Sequence, residues 1–314
     1  MTMMAPPAGP TTVAESSASM RETFVNVMSG LLDDDLSTAL VLADISVSLF
    51  EDAARRHPDR VVNVGIREQL MISTAAGLAL SGLRPVSHSI TPFLVERPFE
   101  QLKIGFGHQD VGGVFVSVGA SHDYSASGRT HRAPEDVALL DALPGWSVHV
   151  PGHASEAAAL LRDAVAGSGR VYLRLADQSN ASPRRVRPGH FVVERDGRAG
   201  TVVAVGPMLD PVLAALEGLD VTVLYAASVR PFDASTLRAT LTRPDVVLVE
   251  PYLAGTSAKQ VADALVDVPH RQLGLGIGNA ELRHYGTPAE HDAAHGLDVA
   301  TLRRRISDFL DIRA

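Results

Sequence analysis

The sequence predicts an α/β protein of two domains, each a mostly parallel sheet flanked by helices. Three observations carry this expectation. From Met20 onward, short apolar runs of strand length alternate with segments of helical spacing, the pattern of units that build parallel sheets. The chain has 314 residues, 46% of them hydrophobic, which at ~150 residues per domain suggests about two packed cores. Between two periodic regions, Asn180 to Gly189 (NASPRRVRPG) collects Pro, Gly, Ser and Arg, a composition suited to a connection between domains. The expected divisions are a flexible tail over 1–19, a first domain over 20–180, a linker over 181–193 and a second domain over 194–314.

The elements follow in order. Met20 to Leu32 has helical spacing, Leu40 to Leu42 is a short apolar run, and Arg60 to Val64 reads as a strand closed by Gly65. Glu68 to Leu80 is a helix of small and apolar residues that ends near Gly82. Val114 to Val118 is a buried strand followed by Gly119 and a polar loop. Pro134 to Leu143 is helical, Ser147 to Val150 extended, Ala154 to Val165 helical and Val171 to Leu175 extended. In the second unit, Gly200 to Val205, Val221 to Tyr225 and Val246 to Val249 read as strands. Pro211 to Leu216, Ala234 to Leu241 and Ser257 to Leu265 read as helices.

Composition narrows the function. The 36 acidic against 28 basic residues leave a net charge of −8, so nothing electrostatic favours nucleic acid or an anionic membrane. Zero cysteines exclude disulfides, thiolate catalysis and cysteine-held metal. The tail is rich in Ala, Pro, Ser and Thr and lacks the basic start and apolar stretch of a signal peptide. The expected location is the cytoplasm. Lys103 and Lys259 are the two lysines, which leaves few Schiff-base candidates.

In open parallel sheets, ligands gather beyond the carboxyl ends of strands, and three post-strand segments hold the chemistry. In the first, Asn63 to Gln69, Glu68 sits in the first turn of an apolar helix, where it either complements the helix dipole or contacts a ligand as a partly buried acid. The second, Gly119 to Arg132 (GASHDYSASGRTHR), holds two histidines, an aspartate and three serines. Its histidines lack the i, i+4 spacing of a zinc motif, so no metal ligand is expected there. Without a G-x-S-x-G elbow, Ser125, His131 and Asp136 make a poor hydrolase triad. The third runs from Ser89 to Phe99, where Phe93 and Phe99 are candidates for the core. The common phosphate loops, G-x-x-x-x-G-K-[ST] and G-x-G-x-x-G after a strand, are missing.

RVVNVGIREQLMISTAAGLALSGLRPV, SGRTHRAPED and LPGWSVHVPGHASEAAALL together resemble the C-terminal half of transketolase-type thiamine diphosphate enzymes. The resemblance spans residue 20 to the end. It implies a pyrimidine-binding domain followed by the family's C-terminal domain, which mainly supports dimerisation. Glu68 falls on the family's catalytic glutamate, which hydrogen-bonds the cofactor's aminopyrimidine and favours the imino tautomer that deprotonates carbon 2 of the thiazolium. Phe93 falls where an aromatic lies against the pyrimidine. Ile90 replaces a neighbouring aromatic, Ile66 is expected in the same pocket, and Asp44 matches an A-D-L-S segment near the cofactor. His131 is expected to contact substrate, and His122 matches a sugar-phosphate-binding histidine.

Departures from the family pattern point to the substrate. Ser127 stands where an aspartate contacts a donor hydroxyl, and Asp177 stands where an arginine grips phosphate, unless Arg174, Arg129 or Arg132 fills that role. A carboxylate 4 Å from a phosphate costs on the order of 1–4 kcal/mol, so the expected substrate is not a conventional sugar phosphate. The family holds the diphosphate and Mg²⁺ with a Gly-Asp-Gly motif in its N-terminal half. The resemblance therefore implies one subunit of a split enzyme with a thiamine diphosphate-binding partner, assembled as an α2β2 heterotetramer. The leading activity is transfer of a two-carbon ketol unit. Alternatives are a 1-deoxyxylulose-5-phosphate synthase-like carboligase (FLVERPFEQL resembles that family's F-L-x-R-A-Y-D-Q), a 2-oxo-acid dehydrogenase beta subunit, or a non-catalytic stabilising subunit. Histidines from His284 to His295 are read as surface or interface residues.

Overall fold

A computed structural model of the chain describes residues 18–280 and 283–312. Most of the expected tail, 1–17, lies outside the described residues. The first domain contributes β1 (Thr38–Leu42), β2 (Val61–Asn63), β3 (Arg84–Ile90), β4 (Gly113–Val118), β5 (Trp146–His149) and β6 (Arg170–Arg174). The second contributes β7 (Val192–Arg195), β8 (Thr201–Val205), β9 (Thr222–Ala226), β10 (Ser228–Arg230), β11 (Asp245–Leu253) and β12 (Arg271–Ile277). One seven-stranded sheet runs β10-β5-β6-β4-β3-β1-β2, and a five-stranded sheet runs β12-β11-β8-β9-β7. All pairings are parallel except the edge strands β10 on β5 and β7 on β9. Parallel strands buried on both faces read as continuous apolar runs, and β1, β4, β8 and β9 are buried throughout.

The helix at Met20–Asp34 starts where Ser19 and Glu22 form a reciprocal capping box. It lays Phe24, Met28 and Leu32 on the sheet. The helix Glu68–Leu80 has the limits its sequence predicts. β7 begins at Val192, inside the stretch expected as linker.

Some elements escape the sequence reading. β3, Arg-Pro-Val-Ser-His-Ser-Ile, carries four polar side chains yet is buried along its whole length. Burial of polar groups is tolerable when they are bonded. Arg84 donates to the carbonyls of Gly169 and Ala164, and His88 bonds Val116 and Ser46. β12 and the helices Pro288–His295 and Val299–Leu310 lie beyond Leu265, where no element was expected.

No described helix is long and apolar enough to cross a membrane.

Candidate active site

The carboxyl ends of the first sheet bring the candidate residues to one edge. Asp44 follows β1 at φ +63°, exposed, and its backbone and carboxylate both bond the Asn63 amide at the end of β2. Gly65 follows at φ +72°, a left-handed turn that glycine adopts without Cβ strain. The chain then enters the helix that starts at Glu68. Glu68 is 3% exposed and makes no capping bond; the helix N-terminus has no side-chain cap. One carboxylate oxygen instead accepts from Arg97 Nη1 at 3.0 Å.

The Arg97 guanidinium also lies 3.8 Å from the centre of the Phe93 ring, a cation–π distance. Phe93 in turn meets His131 edge-on at 5.1 Å. A flat, N–H-bearing group is thus held between a buried carboxylate and an aromatic face. Ile90 closes the end of β3 beside Gly119 and Tyr124. A Cβ at Gly119 would sit 2.4 Å from the Tyr124 ring, so only glycine fits that turn. Ile66 is 72% exposed, so its side chain stands largely in solvent rather than in a closed pocket wall. Ser127 is exposed in a one-turn helix before Gly128.

His122 and Asp177 are placed elsewhere. His122 stacks on His291 at 4.5 Å and lies parallel to His295 at 5.4 Å. Ring nitrogens of the three lie within 4.8 Å of one another. This corrects the surface-or-interface reading for His291 alone, which is fully buried because the helix Pro288–His295 packs onto the loop after β4, whereas His284 is exposed. The i, i+4 spacing of His291 and His295 was the available signal. Burial and the neighbouring histidines and arginines hold His122 down to about 3, so it is neutral at pH 7. The Arg132 guanidinium 3.3 Å from His291 sets a fixed positive charge beside the cluster and opposes a divalent cation there. His295 Nδ1 accepts from the Gly278 N–H, which commits one of its lone pairs.

Asp123 accepts from the Asp177 backbone N–H at 3.0 Å. Burial, and then the Asp177 carboxylate, push Asp123 up to about 7 against the smaller pulls of the Asp177 N–H bond and of Arg174. Its folded value exceeds the unfolded ~3.9. Its contribution to stability is therefore full below about pH 4 and is lost as pH rises through 7. Asp123→Asn, which keeps the acceptor, is expected to melt with the parent at pH 4 and above it at pH 8. Parallel shifts at both pH values would show that Asp123 is not the titrating group.

Behind both groups lies a buried network missed from the sequence. Arg174, 1% exposed, donates through Nε to Asp136 at 2.7 Å. Tyr172 donates to the same oxygen at 2.7 Å and accepts from Ser117. Arg174 Nη2 donates to Ser121, whose hydroxyl donates to the Pro251 carbonyl in the second domain. Arg174 is thus committed to Asp136.

The fold and this edge define a two-domain α/β protein with its site beyond the carboxyl ends of a parallel sheet. A family model described as the transketolase pyrimidine-binding domain matches residues 16–181, and one described as the transketolase C-terminal domain matches 189–302. The chain belongs to the transketolase family. It is 54% identical, over 93% of its length and 95% of the relative's, to an uncharacterised 33.6 kDa protein in the fasciation locus of Rhodococcoides fascians. It is 32% identical, over 82% of its length, to a 1-deoxy-D-xylulose-5-phosphate synthase of Alkalilimnicola ehrlichii, and spans 42% of that enzyme. Among solved structures, a split-gene transketolase described as an inactive beta4 tetramer superposes with a TM-score of 0.82 at 27% identity, over 94% of this chain and 99% of that one. The family is one of thiamine diphosphate-dependent, transferase-type enzymes.

Proposed function

We infer that the chain is the pyrimidine-side subunit of a split, transketolase-like enzyme that transfers a two-carbon ketol unit together with a diphosphate-binding partner. One observation carries this reading: the Arg97 guanidinium lies between the Glu68 carboxylate and the Phe93 ring. That slot suits the aminopyrimidine of thiamine diphosphate, which is likewise flat, nitrogen-rich and able to donate to a carboxylate. When bound, the cofactor supplies a carbanion centre that attacks and stabilises carbonyl fragments.

The residues of this chain do the rest. Glu68 holds a proton at the pyrimidine ring nitrogen, Phe93 and Ile90 fix the ring plane, and Arg97 withdraws to admit it. His131, in contact with Phe93, faces the substrate side. Ile66 belongs to the cofactor pocket only once a partner covers it. Ile66 and Leu70, 72% and 45% exposed beside Glu68, offer that partner an apolar surface. The sequence carries no Gly-Asp-Gly motif, so the diphosphate and Mg²⁺ are assigned to the partner, and the assembly to an α2β2 heterotetramer in the cytoplasm. Asp44 supports the shared boundary.

Asp177 beside Asp123 disfavours a phosphorylated substrate end. A second reading, a 1-deoxyxylulose-5-phosphate synthase-like carboligase, has the 32% identity behind it and the same carboxylates against it.

The test is calorimetric titration of thiamine diphosphate with Mg²⁺ into this chain, into a neighbouring-gene chain bearing the diphosphate-binding domain, and into the co-expressed pair. Binding by the pair and not by this chain is the expected result. Tight binding by this chain alone would overturn the shared site.

A further inference from the structure

Ser127 and His131, the candidate substrate contacts, lie in the loop after β4. The second domain grips that loop. Buried Ser125 donates from Oγ to the Gly286 carbonyl at 3.0 Å. One residue earlier, the Tyr285 carbonyl lies 2.6 Å from Nε2 of the fully buried His291. A carbonyl can only accept, so this ring nitrogen carries the proton. Two buried side chains, one from each domain, thus fix the main chain of Tyr285 and Gly286 against the loop.

The Tyr285 ring completes the contact. It lies so close to Gly128 that a Cβ there would sit 2.8 Å from ring carbon Cε1. Gly128 also has φ +77° and ψ −168°, a region open essentially to glycine alone. Ring and backbone therefore both demand glycine between Ser127 and the turn Arg129–His131. Yet Tyr285 is 63% exposed, because its anchors hold the main chain and leave the side chain clear. Contacts run without a break from the buried carboxylate to this ring. Glu68 bonds Arg97, Arg97 lies on Phe93, and Phe93 meets His131. The His131 N–H donates at 3.1 Å to the carbonyl of Gly128, which lies under Tyr285.

An aromatic ring with one face seated and the rest in water is a platform for flat apolar groups and carries no charge for a phosphate. Ser127 beside it is uncharged as well, and the Asp123–Asp177 pair disfavours an anion. We propose that Tyr285 forms the outer wall of the acceptor site and selects an aldehyde whose far end is flat and apolar. The second domain then sets specificity as well as supporting assembly. This deepens the two-carbon transfer reading and rests on it for the acceptor's carbonyl.

The co-expressed pair, with thiamine diphosphate and Mg²⁺, is assayed with hydroxypyruvate as donor and benzaldehyde, glycolaldehyde or glyceraldehyde 3-phosphate as acceptor. Binding of benzyl alcohol to the full chain is followed in parallel by ligand-observed NMR. The parent is expected to prefer benzaldehyde to glyceraldehyde 3-phosphate in kcat/KM. Tyr285→Ala should raise the benzaldehyde KM about three- to tenfold, the worth of one aromatic pair. It should not lower kcat or move the glycolaldehyde KM, and it should weaken benzyl alcohol binding. Tyr285→Phe, which keeps the ring, should behave as the parent. A preference for glyceraldehyde 3-phosphate, or a benzaldehyde KM that Tyr285→Ala leaves unchanged in an active pair, overturns the proposal and spares the transfer reading. An inactive pair whose chain still binds benzyl alcohol through Tyr285 overturns the transfer reading and supports the aromatic wall. Absence of both turnover and binding overturns both.

Discussion

Glu68→Gln is expected to lower kcat of the assembled enzyme by ~10²–10⁴-fold, the range for loss of a positioned acid–base group. Glutamine keeps the size of the side chain and an oxygen for the Arg97 contact, but it lacks the negative charge that holds a proton on the pyrimidine ring. Folding should hardly change, because the carboxylate makes a single protein hydrogen bond at the rim of the sheet. The readout is steady-state turnover of the co-expressed pair, alongside the melting temperature of each variant. Turnover equal to that of the parent would remove Glu68 from the chemistry and favour the non-catalytic, stabilising subunit.

Asp136→Ala is expected to destabilise the chain by ~3–5 kcal/mol, the cost of leaving one member of a buried ion pair alone. The fully buried carboxylate accepts from Arg174, Tyr172 and the Val137 N–H. Its removal strands a guanidinium with no water to reach it. Such a loss is a large share of the ~5–15 kcal/mol that holds a typical domain together. Urea unfolding followed by circular dichroism measures it, and Asp136→Asn, which retains an acceptor, should fall between variant and parent. A shift below about 1 kcal/mol for alanine would mean that the network contributes little net stability.

Local pattern made the regular elements legible. The helix Glu68–Leu80 is bounded by Gly65 and Gly82, and the apolar runs of β1, β4, β8 and β9 pair as parallel strands. Polar β3 was not legible, since its burial depends on carbonyls of remote segments that accept from Arg84 and on Ser46 and Val116 for His88. Within the site, Glu68 and Phe93 could be singled out through family resemblance, but the guanidinium between them comes from a position 29 residues beyond Glu68, a juxtaposition that spacing does not encode. The placement of His122 depends on a helix from the second domain, almost 170 residues away. Asp177 was chosen by resemblance alone. Its proximity to Asp123 emerges only once the loops after β4 and β6 lie side by side.

The strand β10 belongs by sequence to the second domain yet completes the first sheet, pairing Ser228 with His149. The halves are therefore stitched, not merely docked. A fragment ending in the connection near residue 190 would leave β5 with a bare row of amide and carbonyl groups, a template for other chains. The smaller half would in turn carry a strand with nothing to pair against. Unfolding of one half should thus drag the other with it, and the chain behaves as one cooperative body despite two cores.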